Sequence, residues 1–91
     1  MLKITRILTR QEVTLRLDGR LSGQWVELFR GTAESALSEG VRLSVDLQNI
    51  GFVDCDGITL MKSLINRGVQ HLNAPLFVVD QISKCKDVQE I

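Results

Sequence analysis

The chain is poor in the residues on which several kinds of chemistry depend. Its only cysteines are Cys55 and Cys85, with no CxxC pairing, which argues against a disulfide framework or a zinc cluster. The lone histidine, His71, has no Cys, Asp or Glu at ligand spacing, so it reads as an ordinary strand histidine and no metal site is expected. Charge of one sign is lacking as well. With 11 basic and 11 acidic side chains the formal net charge is +0, which leaves no electrostatic case for nucleic-acid binding. No apolar run approaches the ~20 residues of a membrane span, and no signal-peptide pattern opens the chain, so a cytoplasmic protein without membrane insertion is expected. Walker-type and GxGxxG phosphate loops are missing, as is a GxSxG elbow around Ser22. No cofactor and no catalytic residues are therefore expected.

What remains is an ordinary globular composition. At 91 residues, 44% apolar and 24% charged, the chain suits one domain over residues 1–91 with one shared core. It contains no repeat, low-complexity segment or linker.

The stretch from Leu43 to Val69 organises the rest. Leu43, Val45 and Leu47 alternate with Ser44 and Asp46, the period of a half-buried strand, and Ile58, Met61, Leu64 and Ile65 recur at helical spacing. Between them Gln48 to Val53 reads as a short loop. A helix is expected to start at Asp54 or Cys55 and to end near Arg67 and Gly68. Asp54 is placed to cap it, Asp56 lies in the first turn where the helix dipole favours negative charge, and Gly57 allows close approach to the helix start.

Upstream, Leu2 to Leu8 and Glu12 to Asp18 form an expected antiparallel hairpin, with an exit loop from Asp18 and Gly19 and Leu21 returning to the core. Ser22 is the expected N-cap of a helix from about Gly23 to Ser38. Its apolar stripe would be Trp25, Leu28, Phe29, Thr32, Ala33, Ala36 and Leu37, its stop Gly40, and Gly31 would permit close packing on the sheet. Downstream, Val69 to Asn73 reads as a short strand. Leu76 to Val79 is strand-like by propensity, but Pro75 suits a first helical turn, and Phe77 or Val78, Ile82, Cys85 and Val88 follow helical spacing. A helix from Leu76 to about Asp87 is the reading adopted, with Cys85 in the core. The expected fold class is α/β: a mixed four-stranded sheet with helices packed mainly on one face, and polar residues such as Thr14, Arg16 and Ser44 on the other.

Asp46 to Gly57, DLQNIGFVDCDG, resembles the signature of STAS domains (sulphate transporter and anti-sigma factor antagonist). Leu17 to Ser22, LDGRLS, is similar to the passage from strand two to helix one in the same domains. The resemblance implies a single STAS-like domain. For the anti-sigma factor antagonist (anti-anti-sigma, SpoIIAA-like) branch it implies transcription regulation through capture of an anti-sigma factor, usually a kinase-like ATPase. In that branch the second hydroxyl residue before the glycine is phosphorylated by the partner. Here that position is Asp56, preceded by Cys55, so neither position carries a hydroxyl.

Asp54 and Asp56 do not read as a catalytic pair, because carboxylates at i and i+2 around a helix start do not converge on one reacting atom. Two readings of Asp56 stay open: a partial mimic of phosphoserine, with one charge where phosphate has up to two, or a favourable first-turn residue. Cys55 is near a helix amino terminus but flanked by carboxylates that oppose a thiolate. Trp25, early in the first helix, is either a contact residue or the edge of the core. Arg20, Gln24 and Arg67 would rim a surface around Asp56. The expected function is a regulatory interaction domain that binds a protein partner through Trp25, Asp54, Cys55, Asp56 and Gly57, with a homodimer left open. The alternatives are a STAS subunit supporting an ABC transporter ATPase, and a small-molecule or nucleotide sensor using the Cys55 to Gly57 amides.

Overall fold

A computed structural model describes residues 1–84. The elements run β1 (Leu2–Leu8), β2 (Glu12–Leu21), α1 (Gln24–Ser38), β3 (Arg42–Val53), α2 (Cys55–Asn66), β4 (Gln70–Leu72) and α3 (Leu76–Lys84). The four strands form one sheet in the order β1-β2-β3-β4. The β1–β2 hairpin is antiparallel, whereas β2–β3 and β3–β4, each joined through a helix, are parallel. This is the expected mixed α/β sheet. No described helix is long and apolar enough to cross a membrane.

Strand alternation sets which face is covered. Val13, Leu15 and Leu17 of β2 and Leu43, Val45 and Leu47 of β3 join Val26, Phe29, Ala33 and Ala36 of α1, Ile58, Met61 and Leu64 of α2 and Val78 of α3 in one buried cluster. Each large side chain sealed there, Phe29 for example, contributes about 1.5–3 kcal/mol relative to exposure. The other face carries the polar set. Arg16 is exposed and Thr14 half-buried, but Ser44 is fully buried, because its hydroxyl donates to the Glu12 carboxylate beside it.

Several expectations need correction. Gln48 to Val53 is not a loop: β3 continues through it, pairing Asn49, Ile50, Phe52 and Val53 with Asp18, Gly19, Arg20 and Leu21. Two register shifts in this ladder break the two-residue period. Leu47, Ile50 and Val53 are therefore all buried at a spacing that no regular strand would give. By the same pairing β2 runs past Asp18 to Leu21, which is fully buried as expected. Gly19 adopts φ 114°, and a Cβ there would lie 2.3 Å from the Met1 carbonyl oxygen. The adjacent Arg20 N–H donates to that same oxygen at 3.0 Å.

In α1 the cap is Gly23, not Ser22, and no side chain of its own closes the first turn. The buried stripe is rotated toward Val26, so Leu28 is 48% exposed and the Thr32 hydroxyl turns back to the Leu28 carbonyl. Gly31 packs against nothing: a Cβ there would meet no atom within 4 Å. In α2, Leu60 is buried and Ile65 is 42% exposed. The short strand spans only Gln70–Leu72, with Val69 buried before it. The Pro75 carbonyl accepts from Val78 and Val79 at the start of α3, and Val78 rather than Phe77 enters the core. The expected remainder of that helix, including Cys85, Asp87 and Val88, lies outside the described residues.

Candidate functional site

β2 and β3 end side by side, with Leu21 paired to Val53, and the Asp54 N–H donates to the Leu21 carbonyl at 3.1 Å. Both α1 and α2 therefore begin at this end of the sheet. Asp54 joins them. It has extended backbone (φ −86°, ψ 179°) and its Oδ1 accepts from the Gly57 N–H at 2.8 Å, which caps α2 as the sequence led us to expect. Its Oδ2 accepts from the Gly23 N–H at 2.9 Å, and Gly23 is the residue that opens α1. One carboxylate thus holds two helix starts, a link no sequence spacing announces.

Gly57 is buried. A Cβ on it would lie 2.7 Å from Val53 Cγ1 and 3.1 Å from the Leu21 carbonyl oxygen. The close approach anticipated there is real, but it is made by the chain's own strand ends, so Gly57 contributes fit rather than contact area. Its N–H is already taken by Asp54, which removes one of the amides that an anion at Cys55 to Gly57 would use. Cys55 is exposed and free, and Asp56 is exposed beside it in the first turn of α2.

Trp25 is half-buried and packs against the core, which favours the core-edge reading while leaving part of the ring open. Gln24, the first residue of α1, is exposed at the same end. Arg20 lies there too, its guanidinium 4.6 Å from the centroid of the Phe52 ring, a cation–π arrangement. Phe52 is 40% exposed. Its signal in the sequence is the phenylalanine of the STAS-like signature, in a stretch, Gln48 to Val53, whose period alone suggests a loop. Arg67 does not belong to the rim. It caps the far end of α2, about 18 Å along the helix axis at ~1.5 Å per residue, where it pairs with Glu34 of α1 at 2.5 Å. That hydrogen bond lowers the Glu34 carboxyl pKa and raises that of Arg67.

Among the described residues no group of three or more His, Cys, Asp or Glu side chains is arranged to hold a metal ion. His71, on β4 opposite Val45, has both ring nitrogens buried without a hydrogen-bond partner. Burial pushes its pKa below the ordinary imidazole value, partly offset by the neighbouring Val69 backbone.

The sequence matches no protein-family profile and no curated protein. Among solved structures, the chain is similar to the anti-sigma factor antagonist SpoIIAA in its unphosphorylated form. The two share 19% identity over 92% of this chain and 99% of that one, with a TM-score of 0.56. The chain therefore has the STAS-like α/β fold of an anti-sigma factor antagonist.

Proposed function

We propose that this is a cytoplasmic regulatory domain that docks an anti-sigma factor through the surface at the α2 start, with Asp56 standing where relatives carry the phosphorylated serine. The observation that carries this reading is the exposure of Cys55 and Asp56 on a helix start held rigidly by Asp54, in a fold shared with an anti-sigma factor antagonist. Gln24 and the open part of Trp25, at the start of α1, extend the same surface; Arg20 and Phe52 lie at the same end of the sheet but, alternating with the buried Leu21 and Val53, on its other face. A regulatory rather than catalytic role is supported by the state of the carboxylates. Both oxygens of Asp54 are engaged by backbone N–H groups, so it is not free to act as a base, and Asp56 faces solvent with no orienting partner among the described residues.

The test uses a kinase-type anti-sigma factor with ATP. The wild-type chain should bind it and take up no phosphate, and Asp56→Arg should weaken binding by about tenfold or more, the loss expected when a charged contact is reversed. Asp56→Ser should bind and become phosphorylated. Phosphate on any residue of Asp54–Gly57 in the wild type, or unchanged binding by Asp56→Arg, would refute the reading.

A further inference from the structure

At the opposite end of the sheet lies a cleft of about 940 Å³ that the docking surface does not involve, lined by Thr9, Arg10, Gln11, Glu12, Gly40, Val41 and Arg42. Its walls are the β1–β2 turn and the segment between α1 and β3. The Thr9 N–H closes the turn on the Glu12 carbonyl at 2.9 Å, and the Arg42 N–H joins the two walls by donating to the Gln11 carbonyl at 3.4 Å.

The chain has seven arginines, and their partners divide them. Arg6, Arg16, Arg30 and Arg67 each pair with a carboxylate, and Arg20 stacks on Phe52. Among the described residues Arg10 and Arg42 have neither kind of partner, and these are the two that line the cleft. The carboxylate closest to them in the lining, Glu12, is engaged by the Ser44 hydroxyl, and Glu39 beside Gly40 is engaged by Arg6. The lining therefore carries two arginines without an ion-pair partner against one carboxylate, a net single positive charge on a chain of formal net charge +0. Guanidinium forks match the oxygens of phosphate, and the cleft has the volume of an ordinary small-molecule site. We infer that this cleft binds a small phosphorylated ligand, its phosphate oxygens held between Arg10 and Arg42. The site is independent of partner docking at the α2 start.

The test is an amide-shift titration of the full chain at about 0.15 M salt, where long-range attraction is screened, with pyrophosphate, adenosine triphosphate and adenosine as probes. Pyrophosphate and adenosine triphosphate should each give saturable shifts at residues 9–12 and 40–42, and adenosine none. Arg10→Gln combined with Arg42→Gln should weaken both by about tenfold or more, the equivalent of one charged hydrogen bond. Because both arginines are exposed, the double variant should keep the wild-type unfolding midpoint. Tighter binding of adenosine triphosphate than of pyrophosphate would mean that the nucleoside is also seated; equal binding would mean that phosphate alone is read. The inference is overturned if neither phosphate probe saturates by about 10 mM, if adenosine shifts the same amides, or if the double variant weakens binding by less than tenfold.

Discussion

Replacing Asp54 by alanine should be the most damaging single change at the candidate site, and its cost can be worked from two distances. Oδ1 holds the Gly57 N–H at 2.8 Å and Oδ2 holds the Gly23 N–H at 2.9 Å. Loss of a helix N-cap costs about 1 kcal/mol, and a hydrogen bond to a charged group contributes about 1.5–3 kcal/mol. Allowing for partial replacement by water at this half-buried position, Asp54→Ala should cost about 2–4 kcal/mol. For a domain of this size that lowers the melting temperature by about 4–8 °C per kcal/mol. Asp54→Ser separates the two bonds, because a serine hydroxyl can cap α2 but cannot reach Gly23 as well. It should recover about 1 kcal/mol of the loss. Urea unfolding of the three proteins measures this directly, provided the denaturant slope stays constant. The reasoning fails if Asp54→Ala costs less than about 1 kcal/mol, or if serine restores full stability, since either result would mean that the bridge to α1 contributes nothing.

Other outcomes follow from the same structure. Gly57→Ala forces a Cβ to 2.7 Å from Val53 Cγ1 and should cost about 1–3 kcal/mol in thermal or urea unfolding, through overpacking where two strands end. Gly31→Ala is the counter-case: with no atom within 4 Å of the new Cβ, it should gain up to about 1 kcal/mol from helix propensity. His71 makes stability depend on pH. Its folded-state pKa lies below the ordinary 6.5, so the unfolded chain takes up the proton first. Its contribution is complete above 6.5, falls as pH drops below that value, and levels off below the folded pKa. Urea midpoints measured downward from pH 7 should show this fall in the wild type and a smaller one in His71→Leu; equal slopes would exclude His71 as the source.

The parts of this fold that were legible in the sequence are those decided by neighbours in the chain. Val13, Leu15 and Leu17 alternate within one strand, and the Asp54 cap reaches only three residues ahead, so both could be read without coordinates. The misreadings share another cause. Whether Gln48 to Val53 is loop or strand depends on β2, whose last residues pair with it through two register shifts, and no local period reveals a bulge. The phase of α1 is set by the sheet beneath it, which takes Val26 and leaves Leu28 outside. The Gly23 N–H donates to a carboxylate 31 positions later in the chain. Arg67 and Asp56 stand at opposite ends of α2, a separation that follows from the helix length.

The bridge from Asp54 also bears on what the surface can recognise. Because it fixes two helix starts against paired strand ends, the exposed groups around it need little ordering when a partner arrives, which conserves binding free energy. The helix pole supplies about +0.5 of a charge. Asp54 and Asp56 bring a full negative charge each, so the α2 start is net negative despite its dipole. A partner loop that is acidic would meet repulsion at Asp56, whereas one carrying lysine or arginine would satisfy it. In the proposed docking, the side chain at position 56 would act through its charge whether or not any phosphate is transferred there.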